Sequence, residues 1–203
     1  MAIDTLHVLV EEPSMEVTLQ QLLPCMLRQG IKAEIRQFQC KNDLLKQLPQ
    51  RLAGYAQWLP ETAMVLVIVD RDNDDCLELK ARLEQLAHAA GLGTRKAPRN
   101  GKFQVINRIA IEELEAWFFG DWAAVKAAYP KVDAGVSKKP CCRSPDAIQR
   151  GTWEAMEREL QKKAYFKQGL RKLELAQSVA KHMDISKNCS PSFQCLRDAL
   201  AQL

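Results

Sequence analysis

The sequence predicts an α/β fold, with a mainly parallel sheet flanked by helices and an all-helical C-terminal extension. VLVIV (65–69) is an aliphatic run without polar alternation, which is typical of a strand buried on both faces. Strand patterns alternate with helical periodicity up to about residue 130, which is typical of βαβ units with right-handed crossovers. No strand pattern follows residue 130. We therefore predict an α/β domain over 1–130 and a basic helical extension over 131–203 that packs on it.

The elements follow from local signals along the chain. The predicted strands cover 5–10, 31–38, 64–69 and 103–111. Apolar and polar residues alternate in 31–38, which favours a strand near an edge of the sheet. The predicted helices cover 14–29, 42–56, 75–90, 112–129, 152–164, 170–182 and 191–202. Pro24 predicts a kink or an early end in the first helix, and Asp75 is the predicted N-cap of the third.

Charge is unevenly distributed along the chain. The net charge is +4, with −1 over residues 1–100 and +5 over residues 101–203. Residues 138–172 contain ten basic side chains and four acidic ones. This distribution suits an acidic metal site beside a surface for a polyanion. The alternative is that these lysines and arginines only solvate the faces of helices.

The sequence also bears on location and on thiol chemistry. No apolar run approaches the roughly 20 residues of a membrane span, and the N-terminus lacks the basic start of a signal peptide. The seven cysteines form no C-x-x-C pair, which fits reduced thiols. We therefore expect a cytoplasmic protein without a membrane association. A zinc site at Cys141 and Cys142 with Cys189, Cys195 or His182 is a minor alternative, since the spacing matches no common zinc pattern.

Acidic residues follow three of the four predicted strands. Glu11 follows the first strand, Asp70 and Asp72 the third, and Glu113 and Glu115 the fourth. The carboxyl ends of parallel strands share one edge of a sheet, so these side chains converge if the three strands are adjacent. Carboxylate oxygens are the ligands that Mg²⁺ and Mn²⁺ prefer. We predict a divalent-metal site at these five residues; the alternative is that the acids cap helices or lie in water.

This pattern resembles the Toprim domain of topoisomerases, bacterial primases and OLD-type nucleases. Such domains carry a glutamate after the first strand, as in VLVEEPS, and a D-x-D after a central strand, as in VIVDRD. EELEAWFF resembles a later acidic stretch of the OLD-like proteins, with Glu113 and Glu115 as the best matches. One departure is Glu12-Pro13, which stands where Toprim domains usually have glycine.

Most of the chain also resembles a family of small bacterial proteins known as a domain of unknown function. The stretches that carry this resemblance include FQCKNDLLKQLPQRL, NRIAIEELEAWFFGD, GTWEAMERELQ and HMDISKNCSPSF. The resemblance implies a neighbouring ABC- or SMC-like ATPase as partner, as in a split OLD nuclease or an antiphage defence system. A homo-oligomer is a further alternative.

The predicted activity is Mg²⁺- or Mn²⁺-dependent cleavage of phosphodiester bonds, with DNA favoured over RNA. Glu11 is the candidate general base, while Asp70 and Asp72 would hold one metal ion or two. The candidate phosphate contacts are Lys138, Lys139, Arg143, Lys162, Lys163, His182 and Asn188. One alternative is a non-catalytic Toprim-like subunit of an ATPase complex. A dehalogenase-like phosphatase is disfavoured, because its nucleophile normally follows the first strand.

Overall fold

The sheet has four strands, all parallel, in the order β2-β1-β3-β4. The computed structural model describes residues 2–149 and 151–203. The strands are β1 (Thr5–Val10), β2 (Lys32–Gln37), β3 (Ala63–Asp70) and β4 (Val105–Ala110). The α/β fold class is confirmed, and this arrangement is consistent with a Toprim-like fold. The strand predicted from VLVIV is central and parallel to β1, and β2 lies at an edge, as its alternation predicts.

Helices cover both faces of the sheet. They are α1 (Pro13–Met26), α2 (Lys41–Trp58), α3 (Cys76–Ala89), α4 (Glu115–Gly120), α5 (Trp122–Ala128), α6 (Thr152–Gln161), α7 (Lys172–Ala180) and α8 (Pro191–Leu200). Short 3-10 turns lie at Val136–Lys138 and Pro145–Ala147. The first helix ends two residues after Pro24, earlier than predicted. The side chain of Asp75 accepts hydrogen bonds from the backbone N–H groups of Leu77 and Glu78, which confirms it as the N-cap of α3.

The single helix predicted over 112–129 is wrong, because the chain breaks at Asp121 into α4 and α5. The Asp121 side chain caps α5 and accepts a second hydrogen bond, 2.7 Å long, from the backbone N–H of Asp184. Gly120 permits the close approach of Asn188 to the end of α4, because a Cβ atom there would collide with Oδ1 of Asn188. The 184–190 segment thus packs against the point at which the helix breaks.

An apolar core lies on each face of the sheet, so that all eight residues of β3 are buried. Helices α2 and α3 cover one face. Helix α1 and the chain from α4 onward cover the other, with Trp117, Phe118 and Phe193 at its centre. The aromatic side chains of α4, Trp117, Phe118 and Phe119, are thus part of this core. The extension shares this core, and its described residues contain no strand. None of the helices in the described ranges is long and apolar enough to cross a bilayer.

Candidate metal and phosphate site

The predicted acidic residues converge at the carboxyl edge of the sheet. The strands β1, β3 and β4 are neighbours, and the register places Val10 opposite Ile68 and Asp70 opposite Ala110. The ends of the three strands are therefore nearly level. We call Glu11, Asp70, Asp72, Glu113 and Glu115 the acidic edge.

Three members of the acidic edge are buried. Glu11, Asp70 and Glu115 are 6%, 2% and 1% exposed. Each keeps one carboxyl oxygen without a hydrogen-bond partner among the described residues: Oε2 of Glu11, Oδ1 of Asp70 and Oε2 of Glu115. An ionised carboxylate that is buried without a partner costs several kcal/mol, so such oxygens call for a cation or a proton.

The raised pKa values of these carboxyl groups also indicate that each favours a proton or a bound cation. Burial, together with the charge of Asp72, raises the pKa of Glu11 to about 7. Burial raises the pKa of Glu115 to about 7 as well. The pKa of Asp70 is raised well above its ordinary value by burial and then by the charges of Glu11, Glu12 and Glu115. Without a bound cation, part of the acidic edge therefore holds protons near neutral pH.

One lysine enters the acidic edge from the first turn of α2. The Nζ atom of Lys41 lies 2.5 Å from Oδ2 of Asp72 and 2.8 Å from Oδ2 of Asp74. It also donates to the backbone carbonyls of Asp70 and Arg71, at 3.2 and 3.0 Å. Asp72 is consequently neutralised by a protein side chain rather than left free.

A second lysine comes from the first turn of α7, in the extension. The Nζ atom of Lys172 lies 4.0 Å from Oε1 of Glu113. Burial acts to lower the pKa of Lys172, but the charges of Glu115, Glu12 and Glu113 outweigh it, so the pKa is raised. Lys172 therefore remains protonated and offsets negative charge on the β4 side of the acidic edge.

Glu113 connects the acidic edge to the extension. Its Oε2 accepts hydrogen bonds from Oγ1 of Thr152 at 3.1 Å and from the backbone N–H of Trp153 at 3.2 Å. These two residues open α6. Burial nevertheless raises the pKa of Glu113. The extension thus supplies hydrogen-bond donors and a cation to carboxylates that the sheet positions.

A cavity of about 280 Å³ lies at this edge. Its lining includes Glu11, Glu12, Asp70, Asp72, Lys41 and Lys172. Among the described residues, no three His, Cys, Asp or Glu side chains are grouped so as to hold a metal ion. At Asp72, the ammonium group of Lys41 pairs with one carboxylate oxygen. The unpartnered oxygens of Glu11, Asp70 and Glu115 nevertheless have the chemistry that a hard cation requires.

The predicted phosphate contacts divide into three groups. Lys138, Arg143, Lys163 and His182 are exposed on the extension. Lys139 and Lys162 both pair with Glu159, at 2.9 and 2.6 Å, which offsets part of their charge. Asn188 needs a correction: it is 1% exposed, and its side chain bonds the carbonyl of Trp117 and the backbone N–H of Ser190. It is a structural residue and does not reach a phosphate.

The thiols form no metal centre within the described ranges. The sulfur atoms of Cys141 and Cys142 lie 3.3 Å apart beside a cavity of about 430 Å³, and Cys142 is buried. Burial raises the pKa of the Cys142 thiol to about 12. Cys189 and Cys195 are exposed.

Residues 10–201 match the model of the family described as "Domain of unknown function (DUF4276)". The chain belongs to this family. Searches of curated proteins and of solved structures gave no match. The family match spans both the sheet and the extension, so this DUF4276 domain includes Lys172 as well as the strand-end carboxylates.

Sequence reasoning misses the two lysines as parts of the site in this DUF4276 member. Lys41 lies in FQCKNDLL, directly before a helix, and only the β1–β3 pairing places that helix start beside Asp72. Lys172 stands in the sequence among the other basic residues of the extension. Its place among the carboxylates depends on the packing of α7 against α1, which leaves no local sequence signal.

Proposed function

We propose that this protein is a Mg²⁺- or Mn²⁺-dependent phosphodiesterase that cleaves nucleic acid at the acidic edge. The observation that carries the proposal is a set of buried carboxyl oxygens without partners among the described residues. Those of Glu11 and Asp70 belong to residues that line one cavity, and that of Glu115 lies at the same edge of the sheet. Structural carboxylates are normally hydrogen-bonded or exposed, so three unsatisfied ones at a ligand-binding edge favour a function.

Glu11, Asp70 and Glu115 would hold the ion, with Asp72 joining if Lys41 releases it. A bound divalent ion supplies Lewis-acid stabilisation of the charge that develops on phosphate oxygens. Glu11 is the candidate general base that would accept a proton from the attacking water. Lys41 and Lys172 can contact the anionic oxygens of the substrate from two sides of the cavity.

The substrate proposal rests on charge. The exposed cations of the extension, Lys138, Arg143 and Lys163, carry positive charge on the chain that also positions Lys172. A polyanion is the ligand class that such a surface favours. DNA is proposed over RNA on the Toprim resemblance alone.

The direct test is cleavage by the pure protein. Supercoiled plasmid and a labelled RNA are incubated with Mn²⁺, with Mg²⁺ or with chelator. We expect metal-dependent nicking by the wild type and a loss of at least about a hundredfold in Asp70→Asn, as for removal of a group that stabilises the transition state. A matched control is Asp198→Asn, since Asp198 is an exposed carboxylate on α8 whose one ion-pair partner among the described residues is Arg197. Equal activity of Asp70→Asn and the control would exclude the site.

A second candidate function is a non-catalytic subunit that docks on an ATPase. The observation that favours it is the closure of Asp72 and Asp74 by Lys41, together with the lack of a three-ligand group in the described residues. Leu77 and Leu173 are exposed, at 80% and 43%, in the first turns of α3 and α7 beside this edge. Lys172, which precedes Leu173, lines the cavity, so a partner bound at Leu173 would lie beside the cavity. Co-purification with the product of a neighbouring ATPase gene, without cleavage under any metal, would favour this candidate.

A further inference from the structure

The outer side of β4 carries a second cavity, of about 200 Å³, away from the acidic edge. It is lined by Lys80 and Glu84 of α3, by Arg95 and Lys96, and by residues 105–108 of β4. We call it the β4-edge pocket. Four of its side chains are cationic and one is acidic, so it has an excess of positive charge.

Two of these cations converge on a single backbone oxygen. Val105 donates its N–H to Gly93 on the outer side of β4, and Asn107, two residues on, presents its backbone to the same side. The carbonyl of Asn107 accepts from Nζ of Lys80 at 2.6 Å and from Nη1 of Arg108 at 2.9 Å. Two positive groups held this close repel each other, and Glu84 pairs with Lys80 only, at 3.1 Å. An anion in the pocket would relieve the repulsion.

Three of the four cations, Arg95, Lys96 and Arg108, form no ion pair with another described residue. The guanidinium group of Arg108 instead donates to the backbone carbonyls of Cys195, at 3.1 Å, and Asn107. Arg95 and Lys96 are exposed at the mouth of the pocket, and Arg108 is partly buried. Both Arg95 and Arg108 line the pocket, and burial lowers the pKa of Arg108.

The pocket also contains acceptors that lack donors. Oδ1 of Asn107, a residue 1% exposed, and Oε2 of Glu84 have no partner in the described part of the chain. The Asn107 amide group is fixed by its bond to Oε1 of Glu84, at 2.9 Å. A ligand that suits this pocket therefore combines an anionic group with a hydrogen-bond donor. An inorganic anion without a donor group would pair with the cations but would leave the oxygens of Asn107 and Glu84 without a hydrogen bond.

We propose that the β4-edge pocket binds one nucleotide unit of a nucleic-acid strand. Its phosphate lies among Arg95, Lys96 and Arg108, and a base amino group or a sugar hydroxyl donates to Asn107. Asn107 precedes Ala110, the residue opposite Asp70, by three positions, which is about 10 Å along the strand. One strand of nucleic acid can therefore reach both the pocket and the acidic edge. This assignment rests on the proposed function, for which it supplies a binding site beside the reacting phosphate.

The test measures binding without cleavage. A fluorescein-labelled single-stranded oligonucleotide is titrated with protein in chelator at several salt concentrations, and anisotropy gives the affinity. The test variant is Arg95→Ala with Lys96→Ala, two exposed residues whose loss leaves the core intact. The control is Lys46→Ala with Arg82→Ala, which removes the same charge from exposed positions outside the pocket.

Loss of one phosphate contact should weaken binding about fivefold at 0.1 M salt and lower the slope of log affinity against log salt by about 0.7. The control should retain the slope of the wild type. If the test variant and the control bind alike, the pocket assignment is overturned, even where the wild type cleaves DNA. If they differ while no metal supports cleavage, the pocket stands and the nuclease proposal fails. Inorganic pyrophosphate that stabilises the wild type, with unchanged oligonucleotide binding in the test variant, would also overturn the nucleotide assignment.

Discussion

Glu115→Gln should stabilise the metal-free protein at pH 8 and leave its stability nearly unchanged at pH 4.5. Glu115 is 1% exposed, with a pKa raised from 4.5 to about 7 by burial. Its pKa is higher in the folded protein than in the unfolded chain, so the folded state binds more protons between these values. The stability of the wild type therefore falls as pH rises from about 4.5 to about 7.

The magnitude follows from the size of the pKa shift. Each unit corresponds to about 1.4 kcal/mol, so ionising Glu115 costs the folded state about 3 kcal/mol at pH 8. The Glu115→Gln substitution removes this net cost, in which the attraction of Lys172 is already included. For a chain of this length, about 3 kcal/mol corresponds to an increase in melting temperature of about 6–12 °C.

The assay is urea unfolding with chelator at pH 4.5 and pH 8. The control is Glu159→Gln, because Glu159 pairs with Lys139 and Lys162 and its pKa is lowered. Its stabilising contribution is present above the unfolded pKa and is lost as pH falls through the folded pKa, so the control should be less stable than the wild type at pH 8. The reasoning is refuted if Glu115→Gln is no more stable than the wild type at pH 8.

Three further outcomes are expected. Millimolar Mg²⁺ or Mn²⁺ should raise the melting temperature of the wild type, since a ligand that binds the native state stabilises it. Asp70→Asn should abolish this increase, and an equal increase in both proteins would exclude Asp70 as a metal ligand. Lys41→Met should lower the free energy of unfolding by about 1–3 kcal/mol, measured by urea unfolding in chelator. It should also strengthen metal binding, measured by calorimetry, because Asp72 and Asp74 lose their lysine partner. Asn188→Ala should lower the free energy of unfolding by about 1–3 kcal/mol in the same assay, because two hydrogen bonds are lost, and should leave the affinity for the oligonucleotide unchanged. A weaker affinity would show that Asn188 contacts nucleic acid after all.

The sheet is predictable because its signals are local. An aliphatic run such as 65–69 has few alternatives to a buried strand, and alternation with helices then fixes parallel pairing. The break at Asp121 is not predictable in the same way. Residues 112–129 have continuous helical periodicity, and the break depends on the 184–190 segment, more than 60 residues away, bonding to Asp121 and packing on Gly120.

The candidate site likewise contains residues whose positions the sequence predicts and residues whose positions it does not. Its carboxylates follow strands, so topology alone brings Glu11, Asp70 and Glu115 to one edge. Its cations come from helix starts whose positions depend on tertiary packing, and sequence gives their charge without their location. The sequence predicts that Asn188 lies at the surface, because it is a polar residue in a polar stretch. The fold instead buries it, and its side-chain amide donates a hydrogen bond to a backbone carbonyl.

The two lysines also bear on the choice between the catalytic and the non-catalytic proposal. Lys41 holds Asp72 through direct ion pairs, whereas Lys172 acts on Glu115 and Asp70 through charge and leaves their unpartnered oxygens open. An acidic edge kept only for structure would gain stability by pairing those oxygens, since unpaired buried carboxylates are costly. The protein neutralises its outer carboxylate, Asp72, and leaves the inner ones unsatisfied. That division favours a site in which the inner oxygens await a cation, with Lys41 as the group that such a cation or a substrate phosphate would displace.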